Sequence, residues 1–377
     1  MIDVNYFCRS CCKLSLITRS LPLKYTQEVR ILALVSKFSS VCATVPARTT
    51  LGVGSMYSDV VAFRDVGWGT PGALPPPADR PVGLNGRFEI ADGLFIVRIG
   101  GEMTRRISRG VNAGATEDGV PETYTFVRER ESDDGVWDAD GRLRLAIALS
   151  RLIHPTSVGL EQSAVLTGRI TDDPARITVI PGPVSGPAAA AYITDADQRN
   201  WLTEEDATQL RELLVAYDAR QLPPRVRRAL WFHEFAACTL DGAVRWALFV
   251  TGIESLINVA FDKIAKQFTV RSVGLANECK VPFSKRQATR TYSMRSRVDH
   301  GSATSLPGDE LDLLVATEHV LRAAIRRAIL DGLFADLFLH DATIEQRWPV
   351  PLTIAERLRR IRMTLQRVFR RTARRLR

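Results

Sequence analysis

Hydrophobic and polar residues follow two different patterns along this chain of 377 residues. Between residues 57 and 194, short apolar runs are separated by turn-forming Gly, Pro and Asp, a pattern typical of β-strands. This pattern predicts strands at Asp59–Phe63, Leu94–Ile99, Thr123–Val127, Ala164–Ile170 and Arg176–Ile180, and one helical stretch near Leu143–Leu152. We therefore expect a domain of mixed α/β structure over residues 57–194.

The pattern changes after the Pro- and Gly-rich segment "IPGPVSGPAAAAYI", where we place a domain boundary. Over residues 201–340, apolar residues recur with a helical period. Thr203, followed by three acidic residues, is a candidate N-terminal cap. The predicted helices are Thr203–Arg220, a second from Val226, Gly242–Asp262, Lys263–Glu278, Ser284–His300, and a sixth from Asp309 to about Phe334.

The third of these helices has two distinct faces. Its apolar face contains Trp246, Phe249, Val250, Ile253, Leu256, Ile257 and Ala260. A narrow polar stripe follows the other side, at Thr251, Glu254, Ser255, Asn258 and Asp262. Such a stripe either faces water or lines a site between helices, and the sequence leaves both alternatives open.

The net charge of +9 is concentrated at one end of the sequence. Residues 356–377 contain ten arginines and one acidic residue, so the other residues sum to zero. Apolar residues alternate with these arginines at helical spacing, which predicts a basic amphipathic helix over residues 353–377. Such a helix suits nucleic-acid phosphates, an anionic membrane surface or an acidic partner, and the sequence does not choose among them.

Residues 1–55 are basic, rich in Ser and Thr, and poorly patterned. They are either a transit peptide or an over-extended start, with Met56 opening the protein proper. Cys8 and Cys11 have half of a zinc-site spacing, but no second Cys/His pair follows. We expect no metal and no cofactor, and the scattered cysteines indicate a reducing cytoplasm.

The segment "RTYSMRSRVDHGS" contains the strongest candidate for chemistry, because it places Arg295 and His300 at the end of a predicted helix. RNA cleavage without a metal needs a base with a near-neutral pKa, which histidine supplies. It also needs a cation over the phosphorus, which the arginine fork supplies. The alternative is an ordinary helix end, with a surface ion pair between Arg295 and Asp299. The remaining histidines lack metal-ligand spacing, and His233 is predicted to be packed among apolar residues.

Four segments in this order and spacing resemble the HEPN superfamily, and within it the Apea-like branch: "RVRRALWFHEFAAC", "RWALFVTGIESLI", "QFTVRSVGLA" and "RTYSMRSRVDHGS". The resemblance covers residues 225–330. It implies an all-α HEPN bundle. Together with the mixed N-terminal domain and the basic C-terminal helix predicted from the residue pattern, this gives an α+β protein of several domains.

The resemblance also implies a metal-independent endoribonuclease of a defence or toxin-type system, acting as a homodimer. Arg295 and His300 match the R-x4-6-H active-site motif, and Glu254 matches the acidic residue of the earlier helix. An antitoxin or another regulatory protein is an implied partner. The arginines assigned to RNA binding are Arg271 and Arg297, together with Arg359, Arg360, Arg370 and Arg371 of the basic tail.

Two positions depart from this family pattern. Ser296 stands where active members often have Asn, Asp or His, and Ser302 stands where one toxin subgroup has Tyr. A catalytically silent HEPN module that binds RNA or a protein is therefore the alternative function. Furthermore, a spacing of five residues leaves Arg295 and His300 about 140° apart on one helix. The long arginine side chain, fraying of the helix before Gly301 or a partner helix must bring the two together, and we therefore expect a dimeric site.

Overall fold

The computed structural model describes residues 57–64, 87–99, 102–103, 106–107, 123–131, 138–155, 158–170, 173–181, 202–239, 241–259, 263–300 and 310–351. All of them belong to one compact unit. The predictions for residues 1–55 and for the basic tail at 353–377 lie outside the described residues. None of the described helices combines the length and the apolar character needed to cross a membrane.

An antiparallel sheet accounts for the β-structure of the described residues. Its strands are β1 (Tyr57–Arg64), β2 (Arg87–Ala91), β3 (Leu94–Ile99), β4 (Thr123–Glu131), β5 (Val158–Leu166) and β6 (Val179–Pro181). Their order across the sheet is β2-β3-β4-β1-β5-β6. The structure also contains the helices α1 (Asp138–Ser150), α2 (Glu204–Asp218), α3 (Pro224–Ala237), α4 (Gly242–Ile257), α5 (Ile264–Glu278), α6 (Lys285–Asp299), α7 (Leu311–Leu330), α8 (Gly332–Asp336) and α9 (Asp341–Arg347). The α+β class expected from the sequence is confirmed.

Both faces of the sheet are buried where β3 and β4 pair. Leu94 and Ile96 face the larger core, which also contains residues of α1 to α7. Phe95 and Val97 face a second, smaller core that Met103 and Ile107 help to form. Because side chains alternate along a strand, a continuous apolar run such as "LFIV" is the pattern of a strand covered on both sides.

Local capping explains where the helices start. The Thr203 hydroxyl accepts the N–H of Asp206 at 3.2 Å, and the Asp206 carboxylate accepts the N–H of Thr203 at 2.8 Å. Ser284 and Gln287 form the same reciprocal arrangement at the start of α6. The predicted starts of α2 and α6, and the end of α6 at His300, are confirmed to within a residue.

Other boundaries differ from the predictions for identifiable reasons. The helix expected to reach Asp262 ends at Ile257, because Arg225 donates to the carbonyls of Ser255 and Asn258 and satisfies that end. The helix expected to reach Phe334 ends at Leu330. There Asp331 is extended and its carboxylate caps α8 by accepting the N–H of Phe334 at 3.2 Å.

The strands were predicted less accurately than the helices. The strand expected at Ala164–Ile170 lies at Val158–Leu166, since the chain turns at Thr167, whose N–H donates to the carbonyl of Thr178. The short edge strand β2 was not predicted, because "RFEIA" is brief and half polar.

Sheet and helices share one continuous core, so the predicted boundary between residues 194 and 201 separates two regions that pack directly. Arg211 on α2 stacks over the ring of Phe88 and donates to the carbonyl of Glu89 on β2. The buried Arg151, just after α1, forms an ion pair with Glu234 on α3. These contacts orient the helical region on one side of the sheet.

Candidate functional site

Helix α4 provides the acidic side of the candidate site. Its predicted apolar face is buried from Trp246 to Ile257, which fixes the rotation of the helix in the core. The polar residues Thr251, Glu254, Ser255 and Asn258 are consequently half-buried. At these four positions the stripe is therefore partly covered and does not face water alone, while Asp262 lies outside the described residues.

Arg295 on α6 faces Glu254 on α4. The Nη2 atom of Arg295 lies 3.3 Å from Oε2 of Glu254, and the two side chains are 17% and 11% exposed. Met294 and Thr291 on the same helix are buried and fix its rotation, and the Thr291 hydroxyl contacts that of Thr317 on α7 at 3.1 Å. The Arg295 side chain is thus held at a half-buried position that keeps some exposure to solvent.

His300 caps the C-terminus of α6. Its backbone N–H donates to the carbonyl of Ser296 at 3.1 Å, and its side chain is exposed. His300 thus lies between one and two turns beyond Arg295, at the C-terminal end of the helix. The side chain of Asp299, the alternative partner of Arg295, lies outside the described residues.

The structure brings together Glu254 and Arg295 but leaves His300 on another side of the helix. Because α6 is regular up to Asp299, the spacing of five residues separates the directions of Arg295 and His300 by about 140°. Arg297 is exposed near the same helix end. The four arginines of the tail that were assigned to RNA lie outside the described residues.

Arg271 is not placed as the RNA-binding prediction requires. It is 3% exposed, and its guanidinium donates to the carbonyl of Trp348 at 3.2 Å, to that of Ile257 at 2.9 Å and to the Gln267 side chain at 2.5 Å. Burial lowers the pKa of this guanidinium from its usual value. Arg271 therefore joins α5 to the end of α4 and to Trp348, and we remove it from the RNA-contacting set.

A buried charged network was missed by the sequence analysis. Glu318 on α7 is 3% exposed; its carboxylate lies 3.2 Å from Nε2 of His233 and 3.3 Å from Nε of Arg322. Burial raises the pKa of Glu318, but the charge of Arg322 and the hydrogen bond with His233 outweigh it and lower the pKa overall. His233 is buried, as predicted. The sequence did not reveal its carboxylate partner, because Glu318 lies on another helix, 85 residues further along the chain.

Among the described residues, no group of three or more His, Cys, Asp or Glu side chains is arranged to hold a metal ion. Cys8 and Cys11, the one sequence pattern with half of a zinc spacing, lie outside these residues. The groups that the structure places near the end of α6 are the Arg295 guanidinium, the Glu254 carboxylate beside it and the exposed imidazole of His300.

Comparisons of the chain with protein-family models, with curated proteins and with solved structures found no match. The features of the chain that bear on its function are consequently the four sequence segments and the geometry around Glu254, Arg295 and His300. That geometry can bind a phosphate at Arg295 and move a proton at His300.

Proposed function

We propose that this protein is a metal-independent endoribonuclease of the HEPN type, acting in a defence or toxin-type system. The observation that supports the proposal is the ion pair between Arg295 and Glu254, which connects α6 to α4 beside the helix end that presents His300. These are the three residues that the family resemblance assigns to the active site.

In the proposed reaction, the imidazole of His300 takes the proton from a ribose 2′-OH. The 2′-oxygen attacks the adjacent phosphorus, and the bond from phosphorus to the 5′-oxygen breaks. The leaving 5′-oxygen takes up a proton, so the products end in a 2′,3′-cyclic phosphate and a 5′-OH. Arg295 stabilises the charge that develops on the phosphoryl oxygens, and Glu254 holds the guanidinium in position.

The active unit we propose is a homodimer. Within one copy, Arg295 and His300 point in directions about 140° apart, so a single helix does not aim both at one phosphate. Two α6 helices facing each other across a two-fold axis place Arg295 of each copy opposite His300 of the other. The site is then complete only in the dimer.

Cleavage of a single-stranded RNA with wild type and single variants tests the proposal. His300→Ala is expected to lower the cleavage rate about 10²–10⁴-fold, and Arg295→Ala by a comparable factor. Arg295→Lys should restore little, because one ammonium does not replace the guanidinium fork. Cleavage should persist in EDTA, and DNA of the same sequence should stay intact because it lacks the 2′-OH.

Matched controls come from exposed residues of the same types. Arg286→Ala lies on the first turn of α6, and His340→Ala lies at the start of α9; both variants should cleave like wild type. If His300→Ala cleaves as fast as wild type, or if wild type is inactive on RNA, the catalytically silent module that binds RNA or a protein becomes the better account.

The dimeric site has its own test. Arg295→Ala and His300→Ala chains are co-expressed with different affinity tags, and the mixed dimer is purified through both tags. A site shared between copies leaves one of two sites intact, so the mixed dimer should recover about half of the wild-type rate. A site within one copy would leave the mixed dimer as inactive as either variant.

A further inference from the structure

A cavity of about 500 Å³ opens beside α7, and its lining is strongly cationic. We call it the α7 pocket. Lys280 lines it from the turn between α5 and α6, and α7 supplies His319, Arg322, Arg326 and Arg327. No acidic side chain is among the lining residues. The volume is within the range of small-molecule sites, roughly 300–1,000 Å³.

The sequence of α7 explains how these cations converge. His319, Arg322 and Arg326 are separated by three and four residues, so they lie on one face of the helix. Between His319 and Arg326 the helix rises about 10 Å, at 1.5 Å per residue. A cationic strip of this length matches a ligand with more than one anionic oxygen group rather than a single small ion.

Two of these cations have no carboxylate partner among the described residues. Arg326 is half-buried, and its Nη2 donates to the neutral side-chain amide of Gln209 at 2.8 Å. Lys280 is exposed on the turn, where its positive φ of 57° directs the chain from α5 into α6. A half-buried guanidinium without a counter-ion is costly unless an anion binds beside it.

The other cations are positioned by contacts outside the pocket. Arg322 is held by the buried Glu318, and Arg327 lies 3.7 Å from Asp331 while it donates to the carbonyl of Glu278. His319 lies 3.7 Å from the same Glu318 carboxylate. Because these partners fix Arg322 and Arg327 in advance, an anion entering the pocket meets donors that are already oriented.

The remaining wall of the pocket is apolar. Leu152 and Ile153 reach it from the end of α1, Val281 and Pro282 from the turn before α6, and Leu330 from the last turn of α7. Cys279 also lines it, but burial raises the pKa of its thiol to about 11, so it is not a nucleophile near neutral pH. The pocket thus suits non-covalent binding of a molecule with an anionic end and a flat or apolar end.

The α7 pocket lies away from the proposed active site. It opens at the start of α6, whereas Arg295 and His300 lie near the end of that helix. From Lys285 to Arg295 the helix alone spans about 15 Å, at 1.5 Å per residue. Occupying the pocket therefore does not place a ligand at Arg295.

We propose that the α7 pocket binds a phosphorylated small molecule of nucleotide size, with its phosphates on Arg326, Arg322 and Lys280 and its ring against Ile153 and Pro282. Such a ligand contacts both the segment after α1 and helix α7. It therefore stabilises the packing of the sheet region on the helical region.

Isothermal titration calorimetry with AMP, ATP and inorganic phosphate tests the proposal on the full chain. Wild type should bind AMP or ATP saturably and more tightly than phosphate alone. Arg326→Gln removes a charge-assisted contact and should raise the Kd about tenfold or more. Lys280→Asn, which keeps a residue that tolerates positive φ, should weaken ATP more than AMP. The control Arg228→Gln removes an exposed arginine of α3 and should leave the Kd within about twofold, since exposed charges contribute little.

Wild type and all three variants carry the same basic tail. Any attraction of the tail for nucleotides therefore contributes equally to each Kd and does not affect the differences between them. Circular dichroism melting confirms that Arg326→Gln is folded, and Lys280→Asn serves as the independent variant. The proposal fails if wild type binds neither nucleotide, or if both pocket variants bind like the control. It also fails if only a short RNA oligonucleotide, and no free nucleotide, responds to Arg326→Gln. Because binding is measured without cleavage, the result does not depend on whether the protein is a ribonuclease.

Discussion

Arg271 and Arg295 lie on neighbouring helices and were both assigned to function from the sequence, yet their surroundings differ. The guanidinium of Arg271 is buried and donates to two backbone carbonyls and a side-chain amide. The guanidinium of Arg295 is half-buried and lies against the Glu254 carboxylate. The Arg271 guanidinium thus binds neutral acceptors from three chain segments, whereas the Arg295 guanidinium lies against a charged side chain and keeps some exposure to solvent.

The difference shows how partner type separates a structural arginine from a candidate functional one. Backbone carbonyls that bind a guanidinium become unsatisfied when it leaves, so such a residue stabilises the fold. A carboxylate beside a partly exposed guanidinium orients the fork while an edge can still meet a phosphate. We expect substitutions at Arg271 to act on stability and substitutions at Arg295 to act on activity.

Arg271→Met should produce the largest loss of stability. It leaves the carbonyls of Ile257 and Trp348 without their donor, which costs on the order of 3 kcal/mol in free energy of unfolding. Arg295→Met breaks a partly exposed ion pair and should cost about 1 kcal/mol. Urea unfolding of both variants measures the difference between their free energies of unfolding. Equal losses would mean that the deeper burial of the Arg271 guanidinium does not make it more important for stability than that of Arg295.

Gly274→Ala should disturb the packing around Arg271 without removing its charge. A Cβ there would lie 2.4 Å from Cδ1 of the buried Trp348, whose carbonyl Arg271 binds. A tryptophan ring cannot rotate away in a packed core, so we expect a loss of about 1–3 kcal/mol.

The matched control for this change is Gly252→Ala. There the added Cβ would lie 2.6 Å from a terminal methyl of Leu321, which can move more cheaply. The free energy of unfolding should therefore fall less in Gly252→Ala than in Gly274→Ala. The opposite order would contradict the tight contact between α5 and Trp348.

Glu318→Gln tests a buried charge whose partners are themselves charged or titratable. The pKa of Glu318 is lowered in the folded protein, so its carboxylate contributes stability above its unfolded pKa of about 4.3. This contribution is lost as the pH falls through the folded pKa. Glu318→Gln should therefore cost about 1–3 kcal/mol near pH 7 and much less near pH 3. Urea unfolding at several pH values measures it; a cost that does not change with pH would show that the carboxylate is not ionised.

Arg297→Gln should have the smallest effect on stability and activity, because Arg297 is exposed whereas Arg271 is buried and Arg295 is half-buried. Arg297 lies on the surface near the end of α6, so its loss should leave the melting temperature unchanged. If it contacts an RNA phosphate, the slope of log Kd against log salt should fall by about 0.7. Filter binding of single-stranded RNA measures this slope, and a cleavage rate as low as that of Arg295→Ala would assign Arg297 a part in the chemistry.

The helices could be predicted because their signals are local. The reciprocal caps at Thr203 and Ser284 involve residues three apart, and the apolar face of α4 repeats every three to four residues. The end of α4 could not, because Arg225 reaches it from 33 residues away in the chain. The end of α7 did carry a local signal, since Asp331 caps the N–H of Phe334 three residues on, but the apolar period that continues to Phe334 obscured it. The β2 strand was missed for a similar reason: an edge strand needs its neighbour more than its own sequence pattern.

The amino-acid sequence by itself determined that the helices α1 to α7 form, which face of α4 is apolar, and that Glu254, Arg295 and His300 are a candidate set. Only the tertiary structure decided that Arg295 meets Glu254 and that Arg271 is buried under Trp348, which is 77 residues away in the chain. It also decided that the cations of α7 surround a cavity. Helix formation depends on neighbours within about four residues, whereas the burial and pairing of a charge depend on which distant segments pack around it.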